Sequence, residues 1–384
     1  MEISKKERIL NIIFTCVIFV TITMTYFGTL FGNLVEISSS NADLSRSYSF
    51  FGTNSVIKQI QNFFEFIQNT SGVPTDIINQ YIQSMFGWFV IFIAYIVVAI
   101  IMTVFFIMTI IRGAQVLANK RSSKDLFATY AKFVFPFFNF VMIVLLCFWS
   151  HTTLSQSGIT YYGDTSIGSG LVMGLVASFI GLSVLIAGKF LYPSKRPLIV
   201  RIFSSAMIVL STIVLVYVFI DGVKYTSLDL TVKTESTVFK IFSQVITASS
   251  ISELQQGILK MSIGIMGFVL TIIGVNSFVR NICFDEFEIN EERYLKVGRN
   301  FNTAQHSMVQ AILAFAFTTV GLLLSTIMYC SLYYTPATVY HVSTMPVVVI
   351  IMLSIVLGFA IANKCIDHSG EEQPAKVEPE PKAE

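Results

Sequence analysis

The residues best suited to chemistry are scattered along this sequence rather than grouped. The histidines are His151, His306, His341 and His368, and the cysteines are Cys16, Cys147, Cys283, Cys330 and Cys365. Neither set has the short spacing of metal ligands, alone or combined with the other. The chain also has no phosphate-binding glycine loop and no serine elbow. We therefore expect no enzyme, no metal site and no cofactor.

Three uncharged polar residues interrupt long apolar stretches: Asn139, Asn276 and Gln310. We interpret them as polar groups inside a helix bundle, because such residues form hydrogen bonds between membrane helices without any ligand. No Asp or Glu lies in the middle of an apolar stretch, which argues against a transporter coupled to protons or sodium through buried carboxylates. Four cations lie near the ends of stretches, where they can extend to the water interface: Lys132, Lys189, Arg201 and Arg280.

Small residues recur along two of these stretches. Gly174, Gly181 and Gly188 are spaced by seven residues, which places them on one helix face. A second row contains Thr15, Thr21, Thr23 and Thr25. Both rows predict close packing and hydrogen bonds between helices rather than a pore.

Eight apolar segments are each about long enough to cross a bilayer, whose hydrocarbon core takes about 20 helical residues. They are 10–32, 84–111, 131–149, 169–192, 198–220, 262–283, 308–330 and 345–363. A composition that is 54% hydrophobic and 12% charged, with a mean hydropathy of +0.71, agrees. Each segment is continuously apolar rather than alternating, which favours helices over a barrel. The sequence therefore predicts an all-α, polytopic membrane helix bundle with eight transmembrane helices.

Basic residues predict the orientation of these helices by the positive-inside rule. Nineteen of the 25 Lys and Arg residues fall at the termini and in the loops of one side. Both termini are therefore expected in the cytoplasm, with the protein in the plasma membrane. Topology accounts for the basic clusters, so we expect no nucleic acid as a partner. A signal peptide is the alternative for the start, but the long apolar stretch without an Ala-x-Ala-like site favours an uncleaved span.

The chain divides after Tyr192 into halves with the same plan of spans and loops. Short echoes occur in the same order in both: Ile13-Phe14 and Ile202-Phe203, Thr109-Ile110-Ile111 and Thr271-Ile272-Ile273, Tyr161-Tyr162 and Tyr333-Tyr334, and Leu182-Ser183-Val184 and Leu353-Ser354-Ile355. They predict a tandem 4+4 repeat, with units at 1–192 and 193–366 related by an axis along the membrane normal. Similarity without duplication is the alternative. The Glu-rich and Pro-containing tail, 367–384, is expected to be a disordered cytoplasmic segment.

The two long outer loops carry amphipathic helical patterns. Apolar residues recur with a helical period within 54–69 and within 238–246, and each stripe includes a phenylalanine pair, Phe63 with Phe64 and Phe239 with Phe242. Thr75 is placed to begin a second short helix in the first loop. We expect these helices to lie on the outer membrane surface or across the mouth of the bundle, as a cover, a gate or a docking surface. Alternation over 227–233 is a short strand-like signal.

Two classes of function fit this pattern. The first is a permease or transport-complex subunit for a lipid-like, peptide-like or other amphiphilic substrate, since the interior is poor in polar groups. Its partners would be the lipid bilayer and other membrane or cytoplasmic subunits docked on the charged inner loops, 112–131 and 280–307. The alternative is a non-transporting scaffold or assembly subunit of an envelope complex. The apparent duplication favours the permease, by analogy of architecture.

The topology predicts which positions face the outside. Single cysteines placed at Asn41, Ser157, Thr234 and Thr338 should react with an impermeant maleimide added to intact cells, and one near Ser123 should not. Protection of any of the four, with labelling near Ser123, would contradict the orientation.

Overall fold

The computed structural model describes residues 5–39, 45–69, 72–121, 123–148, 151–156, 159–192, 197–217, 223–227, 233–236, 303–332, 338–341 and 344–370. Its helices are α1 (Lys5–Phe31), α2 (Val56–Gln68), α3 (Thr75–Leu117), α4 (Ser123–Phe148), α5 (Ser169–Leu191), α6 (Leu198–Tyr217), α7 (Thr303–Leu332) and α8 (Thr344–Gly370). Its strands are β1 (Asn33–Ser39), β2 (Arg46–Ser49), β3 (His151–Gln156), β4 (Ile159–Ile167), β5 (Val223–Ser227), β6 (Lys233–Ser236) and β7 (Thr338–His341).

Six helical segments are long and apolar enough to cross a membrane. They are Lys5–Phe31, Gly87–Leu117, Asp125–Val144, Ser169–Leu191, Ala304–Leu324 and Val347–Ile366. They match six of the predicted spans, which confirms a helical, multi-span membrane protein. The fifth predicted span corresponds to α6, whose apolar part, Leu198–Val214, is shorter. The sixth predicted span, 262–283, lies outside the described residues, so the count of eight stays a prediction.

Helix α3 is longer than the sequence pattern indicated. Thr75 does not begin a separate short helix, because the chain is helical without a break to Leu117. These 43 residues would extend about 64 Å, roughly twice the thickness of a hydrocarbon core. No proline lies within the helix, and Pro74 stands just before it. The first part of α3 therefore projects beyond its membrane-spanning part.

Two small antiparallel sheets join loops that are distant in sequence. The first has the strand order β2-β1-β4-β3, and the second has the order β6-β5-β7. The helical fold class holds for most of the described residues, but the prediction did not include these strands, and the pairing that joins the loops connects residues about 130 apart, such as Val35 with Ile167. The alternation seen over 227–233 falls between β5 and β6, and its central residues lie outside the described ranges.

Glycines allow α1 and α5 to pack backbone to backbone. A Cβ atom on Gly28 would lie 2.8 Å from the carbonyl oxygen of Gly170, and one on Gly170 would lie 2.6 Å from the Cα of Gly32. Such distances leave no room for a side chain. Further along the same interface, the Thr25 hydroxyl lies 3.3 Å from both the Ser178 hydroxyl and the Gly174 carbonyl oxygen.

Rings from α4 fill the glycine face of α5. Phe137 lies against Gly174, Tyr130 against Gly181 and Phe127 against Gly188. All three aromatic side chains are buried. The seven-residue spacing of the glycines thus matches the spacing of Tyr130 and Phe137 on α4. The predicted packing role of this glycine row agrees with these contacts, and the rings occupy the space that a pore would need.

Replacing Gly181 by Ala should destabilise the bundle, because the new methyl group would collide with the Tyr130 ring. We expect a cost of about 1–3 kcal/mol, typical of overpacking. Gly358→Ala on α8 is the matched control, since a Cβ there meets nothing within 4 Å. That substitution should stabilise its helix by about 0.5–1 kcal/mol through propensity alone. Thermal unfolding of both variants in detergent measures the difference, and equal midpoints would contradict the packing.

Candidate functional site

An aromatic cluster joins strand β2 and the residues after it to α3. Phe50 stacks on Tyr95 at 3.5 Å between ring centroids and lies 5.8 Å from Phe92, while Tyr48 lies 4.9 Å from Trp88. Tyr48, Phe50, Trp88 and Tyr95 are all buried, so they make contacts within the protein rather than with lipid. Further along α3 the exposed face is apolar, with Ile and Val residues from Ile93 to Ile111, a rise of about 27 Å. This apolar length fits the membrane-spanning part of α3, Gly87–Leu117.

Next to this cluster, α2 and the first part of α3 form a helical hairpin. Helix α2 begins at Ser55, whose hydroxyl accepts a hydrogen bond from the Lys58 backbone nitrogen at 3.1 Å. The Phe63 ring stacks against Tyr81 at 6.1 Å and meets Phe89 edge-on at 5.0 Å. Phe66 also contacts Tyr81, at 4.2 Å. The apolar stripe of α2 thus packs on α3, so the amphipathic prediction for this loop finds a protein partner.

The stripe of α2 is only partly covered. Val56 and Ile60 are buried and Phe63 is half-buried, but Phe64 is 54% exposed. Ile67 on the same helix and Ile77 on α3 are also exposed. The projecting hairpin therefore carries an apolar strip near its tip. The corresponding residues of the second loop, Phe239 and Phe242, lie outside the described residues.

The first sheet is attached to the N-terminal end of α5. The Glu36 carboxylate accepts a hydrogen bond from the Ser169 backbone nitrogen at 2.9 Å, where a negative charge favours the positive end of the helix dipole. The Gly168 nitrogen donates to the Leu34 carbonyl oxygen at 2.8 Å. A Cβ at Gly168 would collide with the Asn33 carbonyl. Sequence reasoning missed Glu36, because no pattern relates it to a helix that begins more than 130 residues later.

Two of the three predicted interior polar residues are described, and they lie on different helices, Asn139 on α4 and Gln310 on α7. Asn139 is half-buried, and its side-chain nitrogen donates to the Phe135 carbonyl oxygen of its own helix at 3.1 Å, beside Pro136. Gln310 is half-buried on α7. Asn276 lies outside the described residues. Hydroxyl pairs also link helices, including Thr25 with Ser178 and Tyr26 with Thr103.

A polar and aromatic cluster closes the opposite end of the first four spans. The Tyr192 hydroxyl donates to the Asn11 side-chain oxygen at 2.6 Å, which connects the end of α5 to α1. The rings of Phe14, Phe127 and Tyr192 meet with centroids 5.7 to 6.1 Å apart. Lys189 was expected to extend to water, but it is only 8% exposed.

An open apolar groove runs along the face of α5 that points away from α1. Its volume is about 590 Å³ and its lining is Val176, Phe179, Ile180, Ser183, Val184 and Ala187. The Ser183 hydroxyl donates to the Phe179 carbonyl oxygen of the same helix, so the groove offers apolar surface. Within the described part of the chain, no group of three His, Cys, Asp or Glu side chains could hold a metal ion.

The contacts of the hairpin predict different effects for substitutions of Phe63 and of Phe64. Phe63→Asp should cost on the order of several kcal/mol of local stability, because it loses apolar burial and desolvates a charge. Phe64→Asp should cost much less, and Gln61→Ala on the exposed face should be silent. Protease sensitivity of the hairpin measures all three. Equal sensitivity of the Phe63 and Phe64 variants would contradict this packing.

Comparison with known proteins adds no relative to these observations. Neither protein-family models, nor curated proteins, nor solved structures match this chain. The sequence and the structure together indicate a helical integral membrane protein with two small sheets and a projecting hairpin.

Proposed function

We propose that this protein is a permease or transport-complex subunit for a lipid-like, peptide-like or other amphiphilic substrate. In this proposal two related four-helix units meet in the membrane, and the substrate is handled where they meet. The observation that carries it is that the first helices of the two units bury residues at equivalent positions, and that the last helices do the same. Both termini would face the cytoplasm, where a motor or regulator would dock on the inner loops.

The buried faces of these helices agree with the alignment that the similar short segments of the two halves define. On α1 the residues 11, 15, 18, 22 and 25 are buried, and their counterparts on α6, residues 200, 204, 207, 211 and 214, are buried as well. On α5 the buried residues 178, 182, 185 and 189 correspond to 349, 353, 356 and 360 on α8, which are also buried. The agreement is partial, because the buried Phe14 and Thr21 on α1 align with the half-buried Phe203 and Leu210 on α6. The positions that do agree support the repeat.

Hydrogen bonds occur near the same end of the two helix pairs. Tyr192 bonds to Asn11 at the end of the α1–α5 pair, and the counterpart of Tyr192, Asn363, lies 3.5 Å from Ser204, which aligns with Thr15 rather than with Asn11. The echoed serines, Ser183 and Ser354, each donate to the carbonyl oxygen four residues earlier.

The sheets follow the same plan. In each unit a hairpin after the first helix pairs through its first strand with a strand that precedes the last helix. One difference stands against full equivalence: α7 packs extensively on α8, whereas α4 meets α5 mainly through rings set against glycines. The support for duplication therefore comes from the first and last helices of each unit and from the sheets.

The junction between units is a better substrate path than the interior of the first unit. Phe127, Tyr130 and Phe137 fill that interior, and they leave no polar passage among the residues described there. The apolar groove on the outer face of α5 offers a surface suited to an acyl chain or an apolar peptide side chain. An ion would find no ligands in such a groove.

A scaffold in an envelope complex is the second candidate. The projecting hairpin favours it, because an apolar strip containing Phe64 and Ile67 beyond the membrane is suited to a protein partner. Dense packing of the first unit is also expected for a subunit that transports no substrate.

Affinity purification in mild detergent, followed by mass spectrometry, separates the two candidates. A permease should bring down an ATPase, and amphiphiles should stimulate ATP hydrolysis by that complex. Ala187→Trp, which fills the groove, should lower the stimulation without changing the yield of the complex. Val172→Trp is the matched control on the same helix, because Val172 is exposed but does not line the groove. A large envelope assembly without an ATPase would support the scaffold, and equal stimulation of both variants would contradict a role for the groove.

A further inference from the structure

We draw no further inference here: the strongest candidate, the apolar strip of Phe64, Ile67 and Ile77 near the tip of the hairpin formed by α2 and the first part of α3, is an exposed apolar surface, and nothing in the described part of the chain shows what covers it.

Discussion

The backbone contact between α1 and α5 is the interaction on which the rest of the described structure depends. Gly28 and Gly32 face Gly170, so the two helices meet without a side chain between them. In lipid there is no hydrophobic force between apolar helices, and association comes from close packing and hydrogen bonds. A side chain at any of these glycines would separate the helices and weaken both contributions at once.

The outer sheet follows from this contact. The chain passes directly from the end of α1 into β1, and from β4 through Gly168 into α5. Because the two helix ends are held together, β1 and β4 begin within hydrogen-bonding distance of each other. Pairing then satisfies their backbone groups, and it brings Glu36 to the start of α5. The glycine contact in the membrane thus determines the architecture outside it.

The polar groups of this protein are used differently in its interior and on its surfaces. Interior hydroxyls mostly donate to carbonyl oxygens of their own helices, as Thr29 does to Thr25, so they add few contacts for a ligand. The described surfaces that stand out are apolar, namely the groove on α5 and the strip near the tip of the hairpin.

The sequence by itself determined the membrane location, the positions of most spans and the amphipathic character of 54–69, because each depends on the composition or period of one continuous segment. It also identified the glycine row of α5 as a packing face. Only the tertiary structure decided what that face meets, namely the rings of Tyr130 and Phe137, and which polar groups pair, such as Tyr192 with Asn11. It also decided that Thr75 continues into one long helix and that four outer strands form a sheet. These features join segments far apart in the chain, and the periodicity of a single segment contains no information about its partner.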